Sequence, residues 1–246
     1  MIHVVTEGVD GPSGFGTALG RALLLRASAG EVGETFVIHV PGREVAFGKH
    51  DTLTPGYAAA TAAARAAGFA AIERLAGGRA AVFHEGTLAF TWTVPDPSPT
   101  AGIHRRFRQI TDLLGDAFAR LGIAAAVGEV PGEYCPGAYS MSVADRKVVG
   151  VGQRLTRHAA HIGGVVVVTD ANLVNRVLIP VYAHLGIAWD PTTTGALDRT
   201  AASPTITAVR DAIVASLAAA RPTRHGPIDA VTLDLAGRLV AAHRAP

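Results

Sequence analysis

The sequence predicts an α+β fold, a mixed but mainly antiparallel sheet with helices packed on it. Three observations carry that prediction. Short β-type runs and longer helical runs follow one another without strict alternation, which argues against a doubly wound parallel sheet. With 49% hydrophobic and 17% charged residues over 246 positions, the chain is apolar enough to bury a sizeable core and unlike a disordered one. The proline-rich stretch 95–99 is too short to separate domains, and the mixture of elements continues on both sides, so one domain is expected over residues 1–246.

Alanine is so frequent that it blurs the hydrophobic periodicity, because it suits core and surface alike. Residues 15–29 predict a first helix, with Leu19, Ala22 and Leu23 on one side and Gly30 placed to cap it. Residues 34–40 read as a strand. After Pro41-Gly42 a short strand at 44–47 runs into Gly48, and residues 55–67 predict a helix with Pro at its start. Strands at 70–74 and 81–84 flank a glycine turn. In 87–94, Leu88, Phe90 and Trp92 alternate with threonines and Ala89, the pattern of a half-buried strand. Residues 104–121 form an amphipathic helix, with Phe107, Ile110, Leu114, Phe118 and Leu121 on one broad side. Strands are expected at 124–129, 138–143, 147–155 and 162–168, then a helix at 171–185 led by Asp170 and continuing through Pro180. Two helices, 206–220 and 228–243, give a helical end from about residue 206.

Composition and motifs exclude several classes of function. A formal net charge of +2 is far from the concentrated positive field of a nucleic-acid-binding protein. The single cysteine, Cys135, cannot form an internal disulfide or a cysteine-based zinc cage. His158 and His161 lie three apart and His84 precedes Glu85, but neither set supplies three ligands at a metal-binding spacing, so no metal ligation is expected. The start of the chain, with acidic Glu7 and Asp10, lacks the pattern of a signal peptide, and no apolar run is long enough for a membrane span. A cytoplasmic protein without a membrane partner is expected. Phosphate-loop, zinc-protease and serine-hydrolase motifs are absent.

Two segments stand out chemically. Gly77 and Gly78 lie between short strands and are flanked by Arg74 and Arg79. Adjacent glycines let the backbone approach a ligand, and guanidinium forks suit phosphate or carboxylate oxygens. A plain Gly-Gly hairpin with two solvated arginines fits the same letters, and His84 reads as a strand-end hydrogen-bonding residue. In the second segment Cys135 is bracketed by Pro131-Gly132 and Pro136-Gly137, which puts the thiol on a loop. A nucleophilic thiol needs a nearby cation, and Lys147 is the candidate if the Asp145-Arg146 turn folds its strand back against that loop. A structural cysteine and a surface lysine are the alternative.

In their order along the chain these segments resemble the lipoate-protein ligase A family, whose fold is shared by lipoate ligases, octanoyltransferases and biotin ligases. Ala46-Phe47-Gly48-Lys49-His50 is similar to the family's strand-to-loop stretch. Arg74-Leu75-Ala76-Gly77-Gly78-Arg79-Ala80 with His84 is similar to its acyl-binding motif, and Asp145 to Arg154, including Lys147 and Gly150, to its lysine strand. The resemblance covers roughly residues 15–185. Arg79 after the glycine pair and Cys135 upstream of Lys147 are closest to the cysteine-dependent octanoyltransferase branch.

The resemblance implies a biotin/lipoate ligase-like catalytic domain that passes an octanoyl or lipoyl group to a lysine of a lipoyl-type acceptor through a Cys135 thioester. Lys147 would stand beside the developing oxyanion, and Arg74, Gly77, Gly78, Arg79, His84 and Gly150 would bind substrate. The implied partners are an acyl carrier protein as donor and a lipoyl domain or a glycine-cleavage H-type protein as acceptor, with no cofactor. Two alternatives remain: an ATP- and Mg-dependent ligase acting through an acyl-adenylate, and a degenerate protein that binds acyl groups or lipoyl domains without transferring them.

Overall fold

The computed structural model describes residues 1–246. Its elements are β1 Ile2–Val5, α1 Phe15–Ser28, β2 Thr35–His39, β3 Glu44–Phe47, α2 Tyr57–Ala66, β4 Ala70–Glu73, β5 Ala81–Phe83 and β6 Thr87–Pro95. They continue as α3 Ile103–Arg120, β7 Ala126–Val127, β8 Met141–Val143, β9 Arg146–Leu155, β10 Ala159–Val167, α4 Ala171–Leu185, α5 Ile206–Ala220, β11 Thr223–His225 and α6 Ala230–Leu239.

The strands form two sheets. The larger runs in the order β11-β1-β2-β6-β10-β9-β8-β7, and the smaller in the order β4-β3-β5. From β2 to β7 every pairing in the larger sheet is antiparallel, while β11-β1 and β1-β2 are parallel. The α+β class is as expected, and the division into two sheets is a finding the sequence did not announce.

The period of two sends alternate side chains of each strand to opposite faces. On one face Phe36, Ile38, Phe90, Trp92 and Ile162 meet Ile110, Leu114 and Phe118 of α3 and Val209 and Ile213 of α5, forming the largest apolar cluster. Helix α1 crosses the other face, and α6 packs on its outer side. Helices α2 and α4 cover the three-stranded sheet, with Val45, Phe47, Ala60, Val82, Val177 and Val181 among the residues buried there. No helix is long and apolar enough to cross a membrane.

Four local expectations are corrected. The chain end is not helical throughout from about 206, because Thr223–His225 pairs in parallel with β1. The last helix stops at Leu239 and tightens into a 3₁₀ turn, Val240–His243. The expected strands at 124–129 and 138–143 shrink to Ala126–Val127 and Met141–Val143. Strand β10 instead begins at Ala159, three residues earlier than its apolar run suggests, because it completes a long hairpin with β9.

Candidate active site

The two sheets meet at a cleft of about 760 Å³, bounded by the 74–78 loop after β4, the 134–137 loop before β8, strand β9 and the start of α1. Cys135, Lys147, Arg74, Gly77, Gly78 and Gly150 all line it. His84 and the Arg79 side chain do not.

A hairpin brings Lys147 to Cys135. Ala144 and Asp145 both adopt left-handed backbone, at φ 48° and 57°, which makes a two-residue turn whose twist matches the flanking strands. The expected fold-back therefore occurs one residue earlier than Asp145-Arg146. Lys147 then lies against Ser142 in register, with its side chain 1% exposed. Its Nζ donates to the carbonyls of Cys135 at 2.7 Å and Tyr134 at 2.9 Å, and stands 3.3 Å from the buried Glu133 carboxylate. These three acceptors match the three donors of an ammonium group. Burial lowers the Lys147 pKa, against the opposing charges of Cys135 and Glu133.

Glu133 organises the rest of the loop. Its Oε1 accepts the Gly137 N–H at 2.9 Å and the Ser140 hydroxyl at 2.6 Å, which explains why residues 138–140 turn here instead of extending. Cys135 itself sits in left-handed backbone at φ 44°. The Tyr182 hydroxyl accepts its N–H at 2.9 Å and donates to the Ala80 carbonyl at 3.0 Å, so α4 ties the cysteine loop to the glycine loop.

The thiol is held from the other side by the glycine loop. Sγ lies 3.2 Å from Arg74 Nη2 and 3.1 Å from the Arg79 backbone N, both as donors. Burial pushes the thiol pKa up, but the Arg74 and Lys147 charges and these two hydrogen bonds outweigh it and leave the pKa below the ordinary thiol value. Gly78, at φ 108°, makes the approach possible: a Cβ there would stand 2.8 Å from Sγ and collide with the Arg74 guanidinium.

Arg79 divides its work. Its N–H serves the thiol, while its side chain reaches the fully buried Asp51 at 3.3 Å; Asp51 also accepts the Gly48 N–H at 2.9 Å. His84 is buried behind the cleft, where its Nδ1 accepts the Gly86 N–H at 3.0 Å. The sequence reading assigned no role to Tyr182 or Glu133. No cluster of three or more His, Cys, Asp or Glu side chains is arranged to hold a metal ion.

Residues 14–218 match the lipoyl protein ligase A/B catalytic domain. The chain belongs to that family. Among its curated relatives is an octanoyl-[GcvH]:protein N-octanoyltransferase of Geobacillus kaustophilus, 27% identical over 169 residues, which cover 69% of this chain and 60% of the relative. A lipoyl-[GcvH]:protein N-lipoyltransferase of Listeria monocytogenes is 28% identical over 112 residues, 46% of this chain and 40% of that one. The chain thus spans about half the length of the curated relatives it matches. In fold it is similar to the T. acidophilum protein Ta0514 solved with bound lipoic acid, with a TM-score of 0.78, 16% identity, and coverage of 98% of this chain and 95% of that one.

Proposed function

We propose that this chain is an acyltransferase that passes an octanoyl or lipoyl group to a lysine of a GcvH-type or lipoyl-domain protein through a thioester on Cys135. The observation that carries the reading is the thiol, held at the cleft by a guanidinium and a backbone N–H and kept below its ordinary pKa. The relatives' names supply the acyl groups and the GcvH partner.

In the first half-reaction the Cys135 thiolate attacks the acyl carbonyl of the donor. A new C–S bond forms, and the donor's thiol or amine leaves with the electron pair and takes up a proton. In the second, a neutral lysine amine attacks the thioester; the amide forms, the amine loses a proton to solvent, and the Cys135 thiolate returns. The donor is an acyl carrier protein thioester or the octanoyl-lysine of a GcvH-type protein. Gly77 and Gly78 line the cleft and have N–H groups without an acceptor in the protein, and this reading assigns the carbonyl oxygen to them. Lys147 contributes charge and holds the loop, since its donors are already engaged. Arg74 gives its Nη2 donor to the thiol, the contact that favours this reading over an ATP-dependent ligase, while its buried Nε has no partner in the protein.

The test mixes the protein, and a Cys135→Ser variant, with octanoyl carrier protein or octanoyl-GcvH without ATP, followed by intact-protein mass measurement. A hydroxylamine-sensitive octanoyl adduct on wild type alone is expected. Absence of an adduct, with acylation of a lipoyl domain only once ATP and free lipoate are supplied, would replace this reading with the ligase. Absence of acyl transfer under either condition would leave a binding protein.

A further inference from the structure

The stretch around Gly48 takes no part in the transfer steps, yet it holds both ends of the loop that carries the thiol's donors. At one end the Arg74 N–H donates to the Phe47 carbonyl at 2.9 Å. At the other, the Gly48 α-carbon lies against the Gly78 carbonyl: a Cβ added to Gly48 would overlap that oxygen and stand 2.7 Å from its carbon and 3.4 Å from the Arg79 N. Arg74 Nη2 and the Arg79 N–H, at those two ends, are the donors to Cys135 Sγ. Phe47 and Gly48 are therefore the footing of both. Gly48 is not among the glycines in left-handed backbone, so what excludes a side chain there is the contact and not the backbone angle.

The consequence follows from the geometry of the peptide unit. Every peptide bond is trans, and in a trans unit the C=O and the N–H point to opposite sides. With its oxygen stopped by Gly48, the Gly78–Arg79 unit sends its N–H the other way, to the sulfur at 3.1 Å. Asp51 fixes the stop. Its side chain, 0% exposed, accepts the Gly48 N–H at 2.9 Å and faces the Arg79 guanidinium at 3.3 Å, while the Gly48 carbonyl accepts the Asp51 N–H at 2.9 Å. A carboxylate taken out of water is tolerated only where donors meet it, and here they come from both sides of the one contact.

We propose that Gly48 and Asp51 are positioning residues for Cys135, forming a backstop that holds the Gly78–Arg79 peptide with its N–H aimed at the sulfur. This rests on the reading of Cys135 as the nucleophile, and it gives the 48–51 turn a part in that reading without any contact with substrate. Relief of the overlap in Gly48→Ala takes about 1 Å, since carbon atoms in contact lie about 3.5–4.0 Å apart. Passed on to Arg79, that shift places its N about 4 Å from Sγ, where little of the hydrogen bond remains.

The test is the rate-versus-pH profile of Cys135 alkylation by iodoacetamide in wild type, Gly48→Ala, Asp51→Ala and Asp51→Asn. In Gly48→Ala and Asp51→Ala the midpoint is expected about one pH unit higher, which is about tenfold less thiolate below both midpoints. Asp51→Asn keeps an oxygen for the Gly48 N–H and loses the charge opposite Arg79, so it is expected to be less stable yet to keep the wild-type midpoint. A purely structural role would not sort the variants this way. An unmoved midpoint in folded Gly48→Ala, or one midpoint shared by Asp51→Ala and Asp51→Asn, overturns the inference. Should the variants not fold, amide hydrogen exchange of the wild type decides: the Gly48 and Arg79 amides are expected to exchange slowly and in step, and a Gly48 amide exchanging as fast as an exposed turn overturns it. Alkylation reads the thiol whether or not it takes an acyl group. Midpoints sorted as expected without octanoyl capture sink the transfer reading alone, and capture with unsorted midpoints sinks the backstop alone.

Discussion

Replacing Tyr182 by Phe removes one oxygen and almost no volume, yet that oxygen makes the only bridge between the Cys135 N–H and the Ala80 carbonyl. Each neutral hydrogen bond contributes about 1 kcal/mol, and an N–H left buried without a partner costs about 1–3 kcal/mol, so a loss of about 2 kcal/mol is expected. In a chain of 246 residues this corresponds to a Tm lower by about 4–8 °C. The loss has a chemical side as well. Cys135 holds a left-handed backbone through Tyr182 on its N–H, Lys147 on its carbonyl and Arg79 on its sulfur. With the first tether gone, Sγ drifts from its two donors and its alkylation by iodoacetamide at neutral pH slows. Thermal unfolding followed by circular dichroism and a timed alkylation measured by mass read the two effects separately. A variant within about 1 °C of wild type that alkylates at the same rate would refute the bridging role of the hydroxyl.

Two further changes probe the charges around the thiol. Arg74→Leu removes the larger of the two cationic influences that oppose burial, so the rate-versus-pH profile of Cys135 alkylation should move to higher pH. The stability sign follows: because the folded thiol pKa is depressed, folding is stabilised above the unfolded value and that stability is lost as pH falls through the folded one, and urea titrations of Arg74→Leu should show a weaker dependence in that window. An unshifted alkylation profile would remove Arg74 from the account. Lys147→Met leaves the Glu133 carboxylate, 0% exposed, without its cation and should cost about 3–5 kcal/mol in urea unfolding, much of it recovered in the double variant Lys147→Met with Glu133→Gln. A double variant no more stable than the single one would show that the pair is not coupled.

The sequence was most legible where its signal was local. Helix α4 spans Ala171–Leu185 as read, because Asp170 accepts the Leu173 N–H at its start and Gly186 closes its end at φ 68°. The wide apolar side of α3 and the alternation of β6 were equally plain. Strands β1 and β11 were not, since three or four residues carry little pattern and their pairing joins positions more than two hundred apart. In the site, glycine-pair and Pro-Gly signals pointed to both loops, and the hairpin brought Lys147 where the spacing suggested. Tyr182 left no mark on the sequence, being one more apolar-looking member of the α4 repeat, and Glu133 reads like any loop acid until Ser140 and Gly137 are seen to converge on it. His161 fell outside the expected strand, which hid its place in the cleft.

The donor that Arg79 offers to the thiol belongs to the peptide chain, not to the guanidinium. Alanine scanning would therefore score this position only by its tie to Asp51, and would report a loop-anchoring arginine while the contact with sulfur persisted untouched. Proline alone among the standard residues deletes that N–H, so a comparison of Arg79→Ala with Arg79→Pro separates the two contributions of one residue. The same division frees the side chain at this position to change in other proteins built on this loop, provided the turn itself keeps its N–H aimed at the cysteine.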